Sequence, residues 1–509
     1  MIRRNPWIVY LSLSVLTIIL LCLTCPTALK LRWNDETLYY TVARNIFEEF
    51  NFYSNHYLSE SLIQVGYPTK DTHLPGYPLI LSLGFGLFGV SEKTPFLVNY
   101  ILSVVTVFAI YRTGEIVASR KVGIIASLIY LFYPTTLILT HSAMTETAAS
   151  AVIAIIGLLF VSMRNGIPKG LLLATSIGLA YLIKPFLLIF LPVILVSFLI
   201  FRSSKRVSTS LSLLSMFGFL FVTIFHAFLQ NREFYPYEAT TILATPGLFD
   251  KLNLMFANIG HNCQRLFFMP WRSGEKLTTL YLSGLWVIAI GVFFKIKSNH
   301  CYSKAVRLLT IASLSFLGVL VAIFTLYNYS AWRGTRALSF VVPLLAVVVA
   351  IGLDRIYPKL FRVQTTKFQR ISIWLTWVVL LFLLLLSNRA TFNQLRTSQI
   401  RQYSALQTAN ARLERIVETH KLQPRVVMSS GNFYYAVDRY PTQVIWTLPH
   451  SLDDLKAIKN RVSVDLIELR SNSNLFRENQ HKYGTIEALD GTHQLIDRQD
   501  DFYYYVRTP

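Results

Sequence analysis

The chain has 509 residues, of which 53% are hydrophobic and only 15% are charged, and its mean hydropathy is +0.45. Soluble domains carry about 25% charged residues, so this composition excludes a soluble globular protein and predicts a mainly α-helical, polytopic membrane protein. The net charge of +21 arises from 48 Lys and Arg against 27 Asp and Glu. Because the basic residues fall mostly in short loops between apolar runs, the charge indicates membrane orientation and contact with membrane lipids, not nucleic-acid binding.

Eleven apolar segments are candidates for membrane spans, each of which needs about 20 residues. In chain order they are 7–29, 96–111, 122–139, 147–163, 170–183, 186–201, 209–229, 278–294, 308–327, 337–353 and 371–388. The first follows a basic N-terminus, as a signal peptide does, but its apolar stretch is longer than a signal core. We therefore expect an uncleaved first helix.

The loops predict the orientation of these spans. If Arg3 and Arg4 lie in the cytoplasm, every loop on that side is basic, whereas the long loops 30–95 and 230–277 and the whole C-terminal tail lie outside. Segment 77–90 is a further apolar stretch. Counting it as a crossing would move the basic loop around Arg112 and Arg120 outside, so we interpret it as a short interfacial or re-entrant helix on the outer side.

The tail has a different pattern. A polar helical stretch begins at residue 389, and strands are predicted in PRVVMSS, TQVIWTLP and SVDLIEL, with helices in NFYYAVDRY and SLDDLKAIKNR between them and two short strands near TIEAL and DFYYYV. Strand–helix alternation predicts a small α/β domain. The chain is therefore divided into a transmembrane module, residues 1–388, and a soluble extracytoplasmic domain, residues 389–509.

The predicted outer face collects a limited set of charged side chains. They are Asp35, Glu36, Glu146, Lys184, Arg333 and Arg336. Each has a structural alternative, because an acid at a helix N-terminus is stabilised by the helix dipole and a cation at a membrane edge can extend into the head groups. As a set they fit sugar transfer from a lipid phosphate, which needs a carboxylate base, with or without a divalent metal ion, and cations to hold the departing phosphate.

Several motifs together resemble a known family. NDETLYYTVARNIFE, THLPGYPLILSLGFGLFGVSE, HSAMTETAASAVIAI and GLAYLIKPFLLIFLPVI follow one another in the order found in the PMT/ArnT-like membrane glycosyltransferases of the GT-C fold. The resemblance implies about 11–13 transmembrane helices in a bacterial inner membrane. It also implies inverting transfer of a hexose or pentose from a polyprenyl-phosphate donor to a hydroxyl of an extracytoplasmic glycolipid, polysaccharide or protein.

The resemblance also assigns roles to residues. Asp35 would be the catalytic base, with Glu36 in support and Glu146 as a second acid, and Lys184, Arg333 and Arg336 would bind the donor phosphate; Tyr39 and His73 are candidates for contact with the acceptor or a metal ion. Where the family often has Lys-Pro-Pro, this chain has His73-Leu74-Pro75. That variant is similar to the bacterial, Rgt-like branch, which acts on lipid or polysaccharide acceptors.

Two other classes of function stay open. A transporter or flippase for lipid-linked sugars would place ionisable groups within its spans, along a path through the midplane. Here the predicted spans are nearly free of charge. A catalytically silent relative with the same fold would be expected to lose Asp35 or the arginines, and this chain has them.

Overall fold

A computed structural model describes part of the chain. The described residues are 6–25, 31, 34–52, 54–57, 75–162, 167–184, 187, 247, 249–250, 253, 340, 342–360, 404–405, 407–429, 436, 442–445, 448–449, 451–483, 486–489 and 492–508. The chain divides into two compact units. Unit 1 comprises Met1–Ala28 and Phe96–Arg396, and unit 2 comprises Leu29–Pro95 and Thr397–Pro509.

Helices dominate the first part of the described chain. They are α1 (Pro6–Thr24), α2 (Asn34–Glu49), α3 (Gly76–Phe88), α4 (Thr94–Val117), α5 (Arg120–Leu131), α6 (Pro134–Thr140), α7 (Thr145–Ser162), α8 (Ile167–Ile183) and α9 (Val342–Leu360). Among the residues described, α1, α4 and α7 are long and apolar enough to cross a membrane. On α1 the buried residues Leu13, Thr17 and Leu20 recur at helical spacing, and the opposite side exposes apolar side chains, as expected of a lipid-facing surface.

These helices confirm the helical interpretation of five apolar segments, which are 7–29, 96–111, 147–163, 170–183 and 337–353. The segment 122–139 differs, because α5 ends at Leu131 and α6 begins at Pro134. Proline has no N–H to donate and disfavours a helical conformation in the residue before it, so Tyr133 is extended and the single predicted helix becomes two. The segments 186–201, 209–229, 278–294, 308–327 and 371–388 lie outside the described residues, Leu187 apart.

Close backbone contact and side-chain packing hold unit 1 together. Where α4 meets α5, a Cβ atom added to Gly123 would lie 2.4 Å from the Tyr111 carbonyl oxygen, so only glycine permits this approach. Helix α5 packs against α9, and Lys121 Nζ of α5 lies 2.8 Å from Asp354 Oδ1 of α9. Helix α7 packs against both α8 and α9.

In unit 2, α2 and α3 pack through aromatic rings. Tyr39 meets Tyr77 edge to face at 5.4 Å between ring centroids, and Tyr40 meets Phe85 in the same way at 5.3 Å. Helix α3 has 13 residues and is therefore about 20 Å long, too short for a hydrocarbon core of about 30 Å. It coincides with the short helix predicted in segment 77–90. Its placement at the outer membrane surface stays a prediction.

A mixed sheet of seven strands forms the rest of unit 2. The strands are β1 (His56–Tyr57), β2 (Val426–Ser429), β3 (Gln443–Ile445), β4 (Leu466–Arg470), β5 (Ala488–Leu489), β6 (His493–Gln499) and β7 (Phe502–Arg507). Their order is β1-β3-β2-β4-β7-β6-β5, with the first four parallel and the others antiparallel. Among the described residues of the tail, three helices accompany the sheet: residues 407–419 (α10), Leu452–Lys459 (α11) and Asn474–Tyr483 (α12).

The sheet agrees with the strands predicted in the tail and adds elements to them. Strands β2, β3, β4, β5 and β7 lie where the sequence predicts them, whereas β6, α12 and the edge strand β1 are additional. Strand β1 comes from the first loop and pairs with β3. The helix predicted in NFYYAVDRY lies outside the described residues, apart from Ala436. Every residue of β2 is buried, because apolar clusters cover both faces of the parallel strands.

Candidate functional site

The N-terminal turn of α2 carries two carboxylates in different environments. Asp35 is partly exposed, whereas Glu36 is completely buried. Both lie in the first turn of the helix, where the dipole favours negative charge. A base must be reachable by the group that it deprotonates, and of the two carboxylates Asp35 is the more accessible. The roles of Asp35 as base and of Glu36 in its support stay predictions.

Most of α2 before its last turn is buried, and the buried residues include polar ones. Its buried polar side chains include Thr37, Thr41 and Asn45, and Asn45 Nδ2 donates to Asn55 Oδ1 at 2.8 Å. Burying polar groups costs free energy, so a helix of this kind must be held by specific partners. Tyr39 is also buried, against Tyr77, and its predicted contact with an acceptor or a metal ion stays a prediction.

A second pair of charged groups lies in unit 1, where the start of α7 meets the end of α8. Glu146, in the first turn of α7, is 1% exposed. Lys184 directly follows α8, and its Nζ lies 3.7 Å from Glu146 Oε1. This distance makes an ion pair but is longer than a hydrogen bond. The structure therefore brings together two residues that the sequence predicted as site residues from separate loops.

The local sequence explains both positions. An acid is favoured at a helix N-terminus and a cation at a helix C-terminus, which suits Glu146 and Lys184 respectively. Lys184 precedes Pro185, and a residue before proline resists helical geometry, so α8 ends at Ile183. The Lys184 amide still donates to the Ala180 carbonyl at 2.9 Å, which fixes the backbone from which the side chain extends.

The connection between α6 and α7 holds a histidine that the sequence analysis did not single out. His141 is buried, with Nε2 2.8 Å from Thr24 Oγ1 and Nδ1 2.9 Å from the Tyr100 hydroxyl. The only feature of the sequence that could have indicated its importance is its position, five residues before Glu146 in the same short segment. Its partners could not be read from the sequence, because Thr24 is 117 residues away along the chain.

The other predicted site residues cannot be placed. Arg333, Arg336 and His73 lie outside the described residues. Within the part of the chain that is described, no group of three or more His, Cys, Asp or Glu side chains is arranged to hold a metal ion. A divalent ion at the site stays a prediction.

Comparisons with known proteins give one family match and several structural matches. Residues 72–229 match the family model of dolichyl-phosphate-mannose-protein mannosyltransferases. Three solved structures are similar along nearly the whole chain. ArnT from Cupriavidus metallidurans bound to undecaprenyl phosphate has 13% identity and a TM-score of 0.58, and the match covers 99% of this chain and 98% of that one. The Archaeoglobus fulgidus oligosaccharyltransferase in the apo form has 13% identity and a TM-score of 0.54, with 91% of this chain and 69% of that one covered. AglB from Archaeoglobus fulgidus, in complex with an inhibitory peptide and a dolichol-phosphate, has 11% identity and a TM-score of 0.51, with 98% and 74% covered.

No curated protein sequence matches the chain significantly. At 11–13% identity, the structural matches establish the fold alone. They confirm the predicted fold class, a mainly helical membrane architecture with a small sheet-containing region. With the mannosyltransferase model matching residues 72–229 and the ArnT structure similar along nearly the whole chain, the chain has the GT-C fold of membrane glycosyltransferases.

Proposed function

We propose that the chain transfers one sugar from a polyprenyl-phosphate donor to a hydroxyl of an extracytoplasmic glycolipid, polysaccharide or protein. The observation that carries the proposal is the Lys184–Glu146 pair. It keeps a cation at the adjoining ends of two apolar helices. Such a cation suits a lipid-borne phosphate, and the similar ArnT structure is bound to undecaprenyl phosphate.

The chemistry assigns a role to each group. The Asp35 carboxylate takes the proton from the acceptor hydroxyl, whose oxygen attacks the anomeric carbon of the donor. The bond between that carbon and the phosphate oxygen breaks, and polyprenyl phosphate leaves as an anion. Attack from the face opposite the leaving group inverts the anomeric configuration. The Lys184 ammonium stabilises the charge that develops on the phosphate.

Glu146 supports this role of Lys184. An ammonium group has three donors, so Lys184 can stay paired with Glu146 while it contacts a phosphate oxygen. Because Glu146 is buried, it holds a fixed position and limits the conformations of the long lysine side chain. Arg333 and Arg336 are proposed as further phosphate ligands, and Glu36 as a buried support for Asp35.

The test separates the two roles with the full-length protein in lipid nanodiscs. Lys184→Met should weaken binding of undecaprenyl phosphate about tenfold or more, because it removes a charge-assisted contact. Asp35→Asn should leave that affinity unchanged. In a gene-deletion strain, wild type should restore a surface sugar detected by mass spectrometry, and Asp35→Asn should not.

Two matched controls complete the design. Glu48→Gln changes another acid of α2, which is exposed and paired with Arg44 at 2.8 Å, and should leave transfer intact. Lys121→Met changes another paired lysine and should leave lipid-phosphate affinity intact. Full transfer by Asp35→Asn would refute its role as the base, and wild-type affinity in Lys184→Met would refute the phosphate assignment.

A further inference from the structure

The connection between α6 and α7, residues 141–144, is tied to two other helices just before Glu146. His141 contacts Thr24 at the end of α1 and Tyr100 of α4 through its two ring nitrogens. The next residue, Ser142, accepts a hydrogen bond at its carbonyl oxygen from Asn99 Nδ2 of α4. Neighbouring residues of α4 thus hold the histidine and the backbone that follows it.

The hydrogen bonds assign the protonation of His141. The Thr24 hydroxyl donates its one proton to the Leu20 carbonyl at 2.7 Å, so towards His141 it can only accept. Nε2 must therefore carry a proton. In the neutral ring Nδ1 is then an acceptor, which the Tyr100 hydroxyl satisfies at 2.9 Å. The Tyr100 oxygen lies 3.6 Å from Cys25 Sγ, a weak donor that can complete the chain of contacts.

A displacement of His141 would be transmitted to Glu146. Residues 136–154 are all buried, so the connection runs through packed surroundings rather than through solvent. Packed interiors have few voids, and a shift in one buried segment moves its neighbours. Helix α7 starts at Thr145, only four residues after the anchored ring.

We infer that His141 is a positioning residue, which fixes the first turn of α7 and thereby holds Glu146 where Lys184 meets the donor phosphate. The inference rests on the proposed function. His141 does not touch the reacting atoms in this scheme. It acts through Glu146 and Lys184, and each of its ring nitrogens contributes to that action.

Conservative variants test the two ring nitrogens separately. Gln carries its amide at the same number of bonds from the backbone as Nε2, so His141→Gln can still donate to Thr24. Asn matches Nδ1, so His141→Asn can still accept from Tyr100. In nanodiscs, His141→Ala should weaken undecaprenyl phosphate binding about tenfold, the loss expected if Lys184 no longer makes its charge-assisted contact with the phosphate. His141→Gln and His141→Asn should each recover part of the loss.

A double variant and a matched histidine distinguish positioning from general destabilisation. In a Lys184→Met background, His141→Ala should cause no further loss of affinity, because its effect passes through Lys184. His493 is another buried histidine with both nitrogens in contact, with Thr492 and with the Val464 carbonyl. His493→Ala should lower the thermal midpoint without changing lipid-phosphate affinity.

The outcomes separate the two proposals. If Lys184→Met loses affinity but His141→Ala does not, the role of His141 is refuted and the proposed function stands. An additive loss in the double variant also refutes it. If wild type does not bind undecaprenyl phosphate, the phosphate assignment fails. Hydrogen exchange of residues 141–150 then decides whether His141→Ala loosens this segment, and unchanged exchange would refute the anchoring itself.

Discussion

Replacing Lys184 by Met should destabilise the protein because it leaves the Glu146 carboxylate buried without its cation. At 3.7 Å and an effective dielectric constant of about 20, the attraction between the two charges is about 4.5 kcal/mol. The lysine side chain keeps 19% of its surface exposed and the contact is longer than a hydrogen bond, so the net loss should be smaller. We expect the free energy of unfolding to fall by about 2–3 kcal/mol, at or just below the lower end of values for broken buried pairs.

The assay is thermal unfolding of the full-length protein, with two comparison variants. Lys184→Met/Glu146→Gln removes both charges and should recover most of the lost stability, because no buried charge remains. It should still fail to transfer sugar, which separates folding from function. Lys121→Met breaks an exposed pair and should cost less than about 1 kcal/mol. A Lys184→Met protein as stable as wild type would refute the account of the pair, as would a double variant no more stable than the single one.

Three further predictions concern packing and unit 2. In thermal unfolding, Gly123→Ala should lower the free energy of unfolding by about 1–3 kcal/mol, because the new Cβ would force α4 and α5 apart. Gly86→Ala should be neutral or slightly stabilising, because its new Cβ would lie 3.7 Å from Phe47, an ordinary contact distance. Glu468→Gln should cost about 3 kcal/mol in the same measurement, because the buried carboxylate accepts from Arg412 and Tyr504 at 3.0 and 3.2 Å; wild-type stability would contradict this. Burial, with the nearby Glu468 carboxylate, raises the pKa of Tyr504 above that of the unfolded chain. Wild type should therefore lose stability as the pH rises above about 10, and Tyr504→Phe should lose less; equal losses would show that Tyr504 does not contribute.

The sequence by itself determines the class of the protein and most of the helices in the part of the chain that the structure describes. The length of the apolar segments, the basic residues in the loops between them and the change of pattern near residue 389 are all features of local composition. They reflect whether a segment is surrounded by lipid or by water, so they can be read without the tertiary structure. The positions of β2, β3 and β4 follow in the same way from short buried runs. Asp35, Glu146 and Lys184 stand out in the sequence as candidate site residues because charges are rare beside apolar segments.

The tertiary structure decides the contacts between residues that are distant in the sequence, which no local pattern can predict. The strand β1 that the first loop adds to the sheet and the approach of Glu146 to Lys184 depend on partners far away in sequence. It also distinguishes Asp35 from Glu36, which are adjacent in the chain but differ in burial because they point in different directions from one helical turn. The role inferred for His141 rests on Thr24 and Tyr100, and only folding brings those hydroxyls to its ring.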